Sequence, residues 1–244
     1  MTTAQKIESR LKKLGDEATA AQSMRFFKTG PGQYGEGDLL IGIRAPVLRS
    51  LSKELIDTPL EDAVELLQSP IHEVRMLALF ILVLQAKRGH ARSATALQAG
   101  DASLPLYRAY LANTARINNW DLVDVSAAQI VGAHLFKKDR KPLTRLAKSN
   151  SLWERRIAII STFHFIRQNE FDDTLAIADL LLNDPEDLMH KAVGWMLREV
   201  GKRDLAAEEN FLIPRYKRMP RTMLRYAIER FPEPLRRAYL NGKK

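Results

Sequence analysis

Short apolar stretches with helical periodicity follow one another along this chain, each opened by residues that turn the backbone, and this constrains the fold more than any other feature. The breaks fall at Thr58-Pro59, Ser69-Pro70, Gly100-Asp101, Lys148-Ser149-Asn150, Asn183-Asp184-Pro185 and Met219-Pro220. No segment shows the sustained apolar–polar alternation of a half-buried strand. The N-terminal part reads as a helix over residues 3–20, with Ile7, Leu11 and Leu14 on one face, continuing helical over 21–28 before a loop over Gly30–Gly37. Pro46 suits the first turn of a helix running to about Ile56. Helices over residues 60–68 and 71–88 come next.

Several later helices share a pattern in which a basic residue precedes a small one and apolar residues follow. Examples are His72-Glu73-Val74-Arg75-Met76-Leu77-Ala78, Trp153-Glu154-Arg155-Arg156-Ile157-Ala158, Met189-His190-Lys191-Ala192-Val193-Gly194 and Thr222-Met223-Leu224-Arg225-Tyr226-Ala227. The small residue lets a neighbouring helix come close. A helix pair every roughly 30–50 residues predicts an all-α fold, an α-solenoid of HEAT-like repeats. Such repeats bury their faces only by stacking, so residues 1–244 are expected to form one curved superhelical domain, with the second helices lining a concave binding face.

Charge suggests what binds there. The formal net charge is +9. Residues 1–136 are close to neutral, residues 137–156 carry eight Lys/Arg against two Asp/Glu, and residues 201–244 carry twelve against five. Residues 157–200 between them are acidic, with three against eight. Two basic blocks predict a basic concave face and a polyanionic partner such as nucleic acid. With no cysteine, disulfides and Cys-ligated zinc or iron–sulfur clusters drop out. Residues 1–8 contain no apolar signal-peptide core and no run is long enough to span a membrane, so a soluble cytoplasmic protein is expected; it is also expected to be a monomer.

Common catalytic signatures are missing. There is no phosphate-binding Gly-Lys-Ser/Thr loop, no dinucleotide glycine fingerprint, no His-Glu-x-x-His and no Gly-x-Ser-x-Gly. The five histidines, His72, His90, His134, His164 and His190, lack ligand spacing and read as surface or packing residues, so neither metal nor cofactor is expected.

What remains is Asn118-Asn119-Trp120-Asp121-Leu122-Val123-Asp124, which reads as the middle of an apolar helical segment. Trp120 and Asp124, four apart, share a helix face, while Asp121 points elsewhere. A single tryptophan is ordinary core material. A buried aspartate without a partner is costly, and Arg116, one turn earlier, is the candidate structural partner. Arg156 lies beside Trp153 in the first basic block, and Arg198 follows Trp195 by three positions on the same face.

These segments resemble the AlkD family of alkylpurine DNA glycosylases, which are HEAT-like repeat proteins. The resemblance rests on Gly42-Ile43-Arg44-Ala45-Pro46-Val47-Leu48-Arg49, Trp120-Asp121-Leu122-Val123-Asp124, Trp153-Glu154-Arg155-Arg156-Ile157-Ala158-Ile159 and Lys191-Ala192-Val193-Gly194-Trp195-Met196-Leu197-Arg198-Glu199. It runs over nearly the whole chain. One departure is Asn119, where an aromatic often precedes the tryptophan. The resemblance implies Trp120 and Asp124 as the tryptophan–aspartate pair, Trp195 as a second active-site tryptophan, Arg156 as a DNA contact, and Phe26 or Phe27 as the N-terminal aromatic of the DNA face.

The activity implied is monofunctional hydrolysis of the N-glycosidic bond of cationic N3- or N7-alkylated purines in double-stranded DNA. Asp124 would stabilise an oxocarbenium transition state, Trp120 and Trp195 would flank the sugar, and Arg156 and Arg198 would hold phosphates. The lesion would be read through the backbone without a base pocket. Two alternatives stand beside it: a catalytically silent solenoid for unusual DNA, and a protein-interaction scaffold.

Overall fold

The computed structural model describes residues 1–95, 101 and 103–244, so the break expected at Gly100 and the side chain of His90 lie outside the described residues. The described residues are helical, with one isolated parallel bridge between Leu39 and Ile71 and no strand. The chain divides into two compact units, Met1–Ile130 and Val131–Lys244.

The first unit contains α1 (Thr3–Lys12), α2 (Glu17–Phe26), α3 (Ala45–Glu54), α4 (Leu60–Leu67), α5 (His72–Thr95), α6 (Leu104–Ala112) and α7 (Trp120–Ala127). Its centre is α5, which packs against α3, α4 and α7. Val74, Leu77, Ala78, Leu79, Ile81 and Leu82 of α5 are all fully buried. The stretch 76–84 is apolar on every side and has to be surrounded in this way.

The N-terminal segment differs from expectation. Residues 3–20 form two helices, because Asp16 accepts a hydrogen bond from the Thr19 amide at 2.7 Å and starts α2 as its N-cap. Ile7 and Leu11 are buried as expected, but Leu14 falls in the break and is exposed.

The second unit contains α8 (Ala133–Leu135), α9 (Lys141–Ala147), α10 (Leu152–Ser161), α11 (Phe163–Ile166), α12 (Asp172–Leu180), α13 (Asp187–Gly201), α14 (Leu205–Leu212), α15 (Arg221–Ala227) and α16 (Glu233–Leu240). Here α13 is central and packs against α10, α12, α14 and α15. Its buried residues Met189, Ala192, Val193, Met196, Leu197 and Val200 follow the three–four spacing of one helix face. Gly194 lets α15 approach, since a Cβ there would lie 2.4 Å from the Met223 carbonyl oxygen and 2.6 Å from the Tyr226 Cβ. In α13 the small residue at position 194 thus has the expected packing role.

Among the described residues, no helix is long and apolar enough to cross a membrane.

Candidate functional site

In the first unit the site is built where a loop and two helix starts meet. Residues 28–44 leave α2 through Lys28, which has φ +51°. The loop is held by its own hydrogen bonds, among them Gly35 N to Lys28 O at 3.2 Å and Gly32 N to the Glu36 carboxylate at 2.8 Å. It is then tied to the start of α5, where Leu39 N donates to Pro70 O and His72 N donates to Leu39 O. The Glu73 carboxylate accepts from the amides of Ile41, Gly42 and Ile43 at 2.8–3.3 Å. Gly42 has φ +83°, and a Cβ there would lie 2.1 Å from Asp16 O. The Gly-Ile-Arg motif is therefore a backbone segment clamped by a buried acid and crossing α2 too closely for any side chain.

Trp120 does not lie in the middle of a helix. Asn119 is fully buried and begins α7 as its N-cap, accepting from Trp120 N at 2.8 Å. Where the resemblance led to an aromatic being expected, the chain has a cap whose amide Nδ2 also reaches Asp38 at 3.4 Å. Arg116 sits in a separate 3-10 turn, Thr114–Arg116, and donates to Gln68 at 3.2 Å. It is not one helical turn before Trp120, because the chain changes direction at Asn118-Asn119.

Trp120 and Asp124 are both half-buried and lie four residues apart on α7. The indole N–H donates to the Tyr34 hydroxyl at 3.3 Å. The indole ring lies 5.8 Å from Phe26 and 5.7 Å from Phe27, between centroids. Phe26 is 63% exposed and Phe27 is half-buried beneath it, so of the two candidate aromatics Phe26 faces solvent. Next to Asp124, the Tyr110 phenol is fully buried and its pKa is raised, by burial first and also by the Asp124 charge.

Asp121 does point away from the Trp120–Asp124 face, and it ends on a buried histidine. His72 is 2% exposed; its Nε2 lies 2.9 Å from Asp121 and its Nδ1 3.1 Å from Asp38. Asp38 also accepts from Arg75 at 2.6 Å. Burial alone would lower the His72 pKa, but the hydrogen bonds and charges of Asp121 and Asp38 raise it to about 9. Burial likewise works to raise the Asp38 carboxyl, yet His72 and Arg75 outweigh it and hold it below its ordinary value. His72 is thus a packing residue, as its isolated spacing suggested, but a charged one between two acids. The sequence carried one hint: His, Glu and Arg within the first turn of a helix, directly ahead of the unbroken apolar run 76–84.

In the second unit, Trp195, Arg198 and Lys202 converge on one acid. Glu199 accepts from the Trp195 indole at 3.2 Å, Arg198 at 3.5 Å and Lys202 at 2.7 Å. Arg198 also pairs with Glu229. The Trp195 ring lies 5.8 Å from Phe163, over which Arg167 stacks at 4.1 Å. Arg156 is 4% exposed, and its Nη1 donates to the Leu188 carbonyl at 2.6 Å, in the first turn of α13. The candidates therefore fall into two groups: Trp120 and Asp124 in the first unit, and Arg156, Trp195 and Arg198 in the second.

Part of the first basic block is used within the second unit. Arg140 pairs with Asp173 and Glu170, and Arg155 with Asp184. The acidic segment between the basic blocks supplies these partners. Lys141, Arg145 and Lys148 remain exposed, as do Lys217, Arg218, Arg221 and Arg225 of the second block. Among the described residues, no group of three or more histidines and acids has the arrangement to hold a metal ion.

A family model for DNA alkylation repair enzymes matches residues 7–231, and the chain belongs to that family of AlkD-like proteins. Among solved structures, a predicted DNA alkylation repair enzyme from Enterococcus faecalis is similar, with a TM-score of 0.66 at 18% identity, covering 90% of this chain and 97% of that one. At that identity the likeness concerns the fold alone. No curated protein matches the chain.

Proposed function

We propose that this protein is a monofunctional DNA glycosylase that removes cationic N3- or N7-alkylated purines, such as 3-methyladenine and 7-methylguanine, from duplex DNA. The observation that carries the reading is the half-buried pair Trp120 and Asp124, one turn apart on α7, in a chain of the DNA alkylation repair family.

Alkylation gives the purine a formal positive charge, so it departs with the electron pair of the broken C1′–N bond and leaves as a neutral base. No general acid is required for that departure. Positive charge then develops on the deoxyribose. The Asp124 carboxylate stabilises it and orients the water that adds to C1′. The proton released from that water passes to solvent, and the product is an abasic site. The Trp120 face favours the same cation, by about 0.5–2 kcal/mol, and Trp195 has the same role.

Arg156 and Arg198 are assigned to phosphates, which Arg156, 4% exposed, reaches only by leaving the Leu188 carbonyl. Glu229, which pairs with Arg198, has a side chain 47% exposed and can give way to a phosphate oxygen. The reading takes the helices as HEAT-like repeats of one domain presenting a basic concave face, acting as a cytoplasmic monomer without cofactor or metal.

The test is incubation of methylated duplex with the protein. Release of 3-methyladenine or 7-methylguanine above the spontaneous rate is the expected result. Asp124→Asn should abolish release while DNA affinity stays nearly intact, and normal excision by that variant would remove Asp124 from the mechanism.

One observation favours a second reading, a catalytically silent HEAT-repeat scaffold for DNA or protein. Arg156 is buried against a carbonyl and Arg198 is ion-paired, so both have structural work. That reading predicts no release from any methylated duplex.

A further inference from the structure

His72 plays no part in the chemistry above, yet it is among the most completely engaged side chains in the first unit. It opens α5, and each of its ring nitrogens meets a carboxylate: Asp38 from the loop and Asp121 from the first turn of α7. A neutral imidazole has a single N–H and can donate to only one of them. The imidazolium donates to both.

The entry to α7 is held at three neighbouring positions by the same cluster. The Asn118 side-chain amide oxygen Oδ1 accepts from Arg75 at 3.2 Å. Asn119 bonds Asp38 while capping Trp120 N. Asp121 bonds His72 through one carboxylate oxygen and accepts from Leu122 N at 2.8 Å through the other. Trp120 is the one residue of this run whose side chain leaves the cluster, and its ring rests on Phe27. Phe27 in turn lies 4.8 Å from the His72 ring at an interplanar angle of 35°. The backbone and the indole of Trp120 are therefore both referred back to His72.

We infer that His72 is a positioning residue, bridging Asp38 to Asp121 and supporting Phe27 so that the first turn of α7 presents Trp120 and Asp124 in one fixed orientation. The inference deepens the glycosylase reading, on which its catalytic consequence rests.

A purely stabilising role explains the cluster less well. Buried ion clusters contribute little net stability compared with apolar packing, and in some proteins they instead specify one arrangement over others. The groups facing His72 are Asp38 from the loop, Asp121 from α7, and Arg75 on α5, which reaches it through Asp38. Glu73 and Arg44 line the same small cavity of about 200 Å³, with Phe27 and Asp121. The Glu73 carboxylate is turned to the amides of residues 41–43. With two carboxylates and two cations, the inner cluster is balanced only while His72 is protonated. Loss of that proton leaves one carboxylate facing a bare ring nitrogen, and α7 loses one of its ties.

The experiment follows the His72 ring and the Trp120 indole N–H by NMR, the latter identified with Trp120→Phe, from pH 6 to 10. Single-turnover excision of 7-methylguanine, corrected for spontaneous loss, is measured over the same range. The Trp120 signal and the excision rate should change together as His72 titrates near pH 9, with unchanged far-ultraviolet circular dichroism. Asp121→Asn should move both midpoints to lower pH. His72→Gln should slow excision by about 10- to 100-fold at neutral pH, leave DNA affinity nearly unchanged, and abolish the alkaline transition.

A Trp120 signal that stays still while His72 titrates would overturn the inference, as would His72→Gln excising with the wild-type rate and pH profile. If His72→Gln does not fold, the wild-type titration and Asp121→Asn still decide. If the wild-type protein excises nothing, the glycosylase reading falls, and the coupling of Trp120 to His72 is judged from the NMR titration alone.

Discussion

Asp124 and Asp121 are three residues apart on one short helix and have different surroundings. Asp121 is absorbed by His72 and by its own backbone. Asp124 is half-buried beside Tyr110 and Trp120. In the proposed mechanism only Asp124 meets the sugar, so Asp124→Asn should lose excision while DNA affinity stays nearly intact. Asp121→Asn should instead act through pH dependence. The Asn119 cap gives a separate prediction at this scale. Asn119→Ala removes the acceptor for Trp120 N and the link to Asp38, and should cost about 1–2 kcal/mol in denaturant unfolding. A variant as stable as the wild type would mean that the cap is not what starts α7.

Two close helix contacts set the tolerances of the elements. Gly194→Ala would drive a Cβ into the Met223 carbonyl of α15, where the obstructing atom is backbone. The second unit should lose about 1–3 kcal/mol, read as a lower melting temperature. Gly42→Ala meets both a left-handed φ and the Asp16 carbonyl, and should be at least as costly. A third prediction concerns α14. Glu208 is 1% exposed, its Oε1 makes no hydrogen bond, and burial, aided by the Glu209 charge and opposed by Arg198, raises its pKa to about 9. Its unfolded counterpart ionises near 4.5, so the native state loses stability as pH rises from there towards 9. Glu208→Gln removes that loss and should raise the unfolding midpoint at pH 8, with the gain shrinking towards pH 5. Equal midpoints at pH 8 would show that the carboxylate is relieved by some other route.

For the molecule as a whole, the same linkage applies to His72. Its folded pKa is raised from 6.5 to about 9, so its contribution is complete below pH 6.5 and is lost as pH climbs to 9. The lowered carboxylates Asp38, Asp179 and Asp187 contribute above their unfolded value of 3.8 and lose that contribution in acid. Stability should therefore peak in the mildly acidic range, and a rise in unfolding midpoint between pH 6.5 and 9 would contradict this account. Binding to duplex DNA should weaken steeply with salt, because the exposed cations of both basic blocks release counterions from phosphates. Replacing Lys217, Arg218 and Arg221 with glutamine should flatten that dependence, which titrations at several salt concentrations would measure.

Local rules decided much of this protein in advance. Apolar spacing along α5 and α13, prolines in first turns and small residues at helix crossings act over a few residues, so the all-helical class and the shared face of Trp120 and Asp124 could be read from the chain itself. The motif order that marked the family is also a property of the sequence alone. Tertiary structure decided which partner each polar side chain received. His72 meets Asp38 and Asp121 across 34 and 49 positions, Arg198 meets Glu229 across 31, and Arg156 is buried against α13. The helix break at Asn119 belongs with them, because its cap is reinforced by Asp38 from a distant loop. Periodicity states which face of a helix turns inward, but a charge pairs with whatever the packing of other elements brings within about 3 Å, and no short-range pattern encodes that.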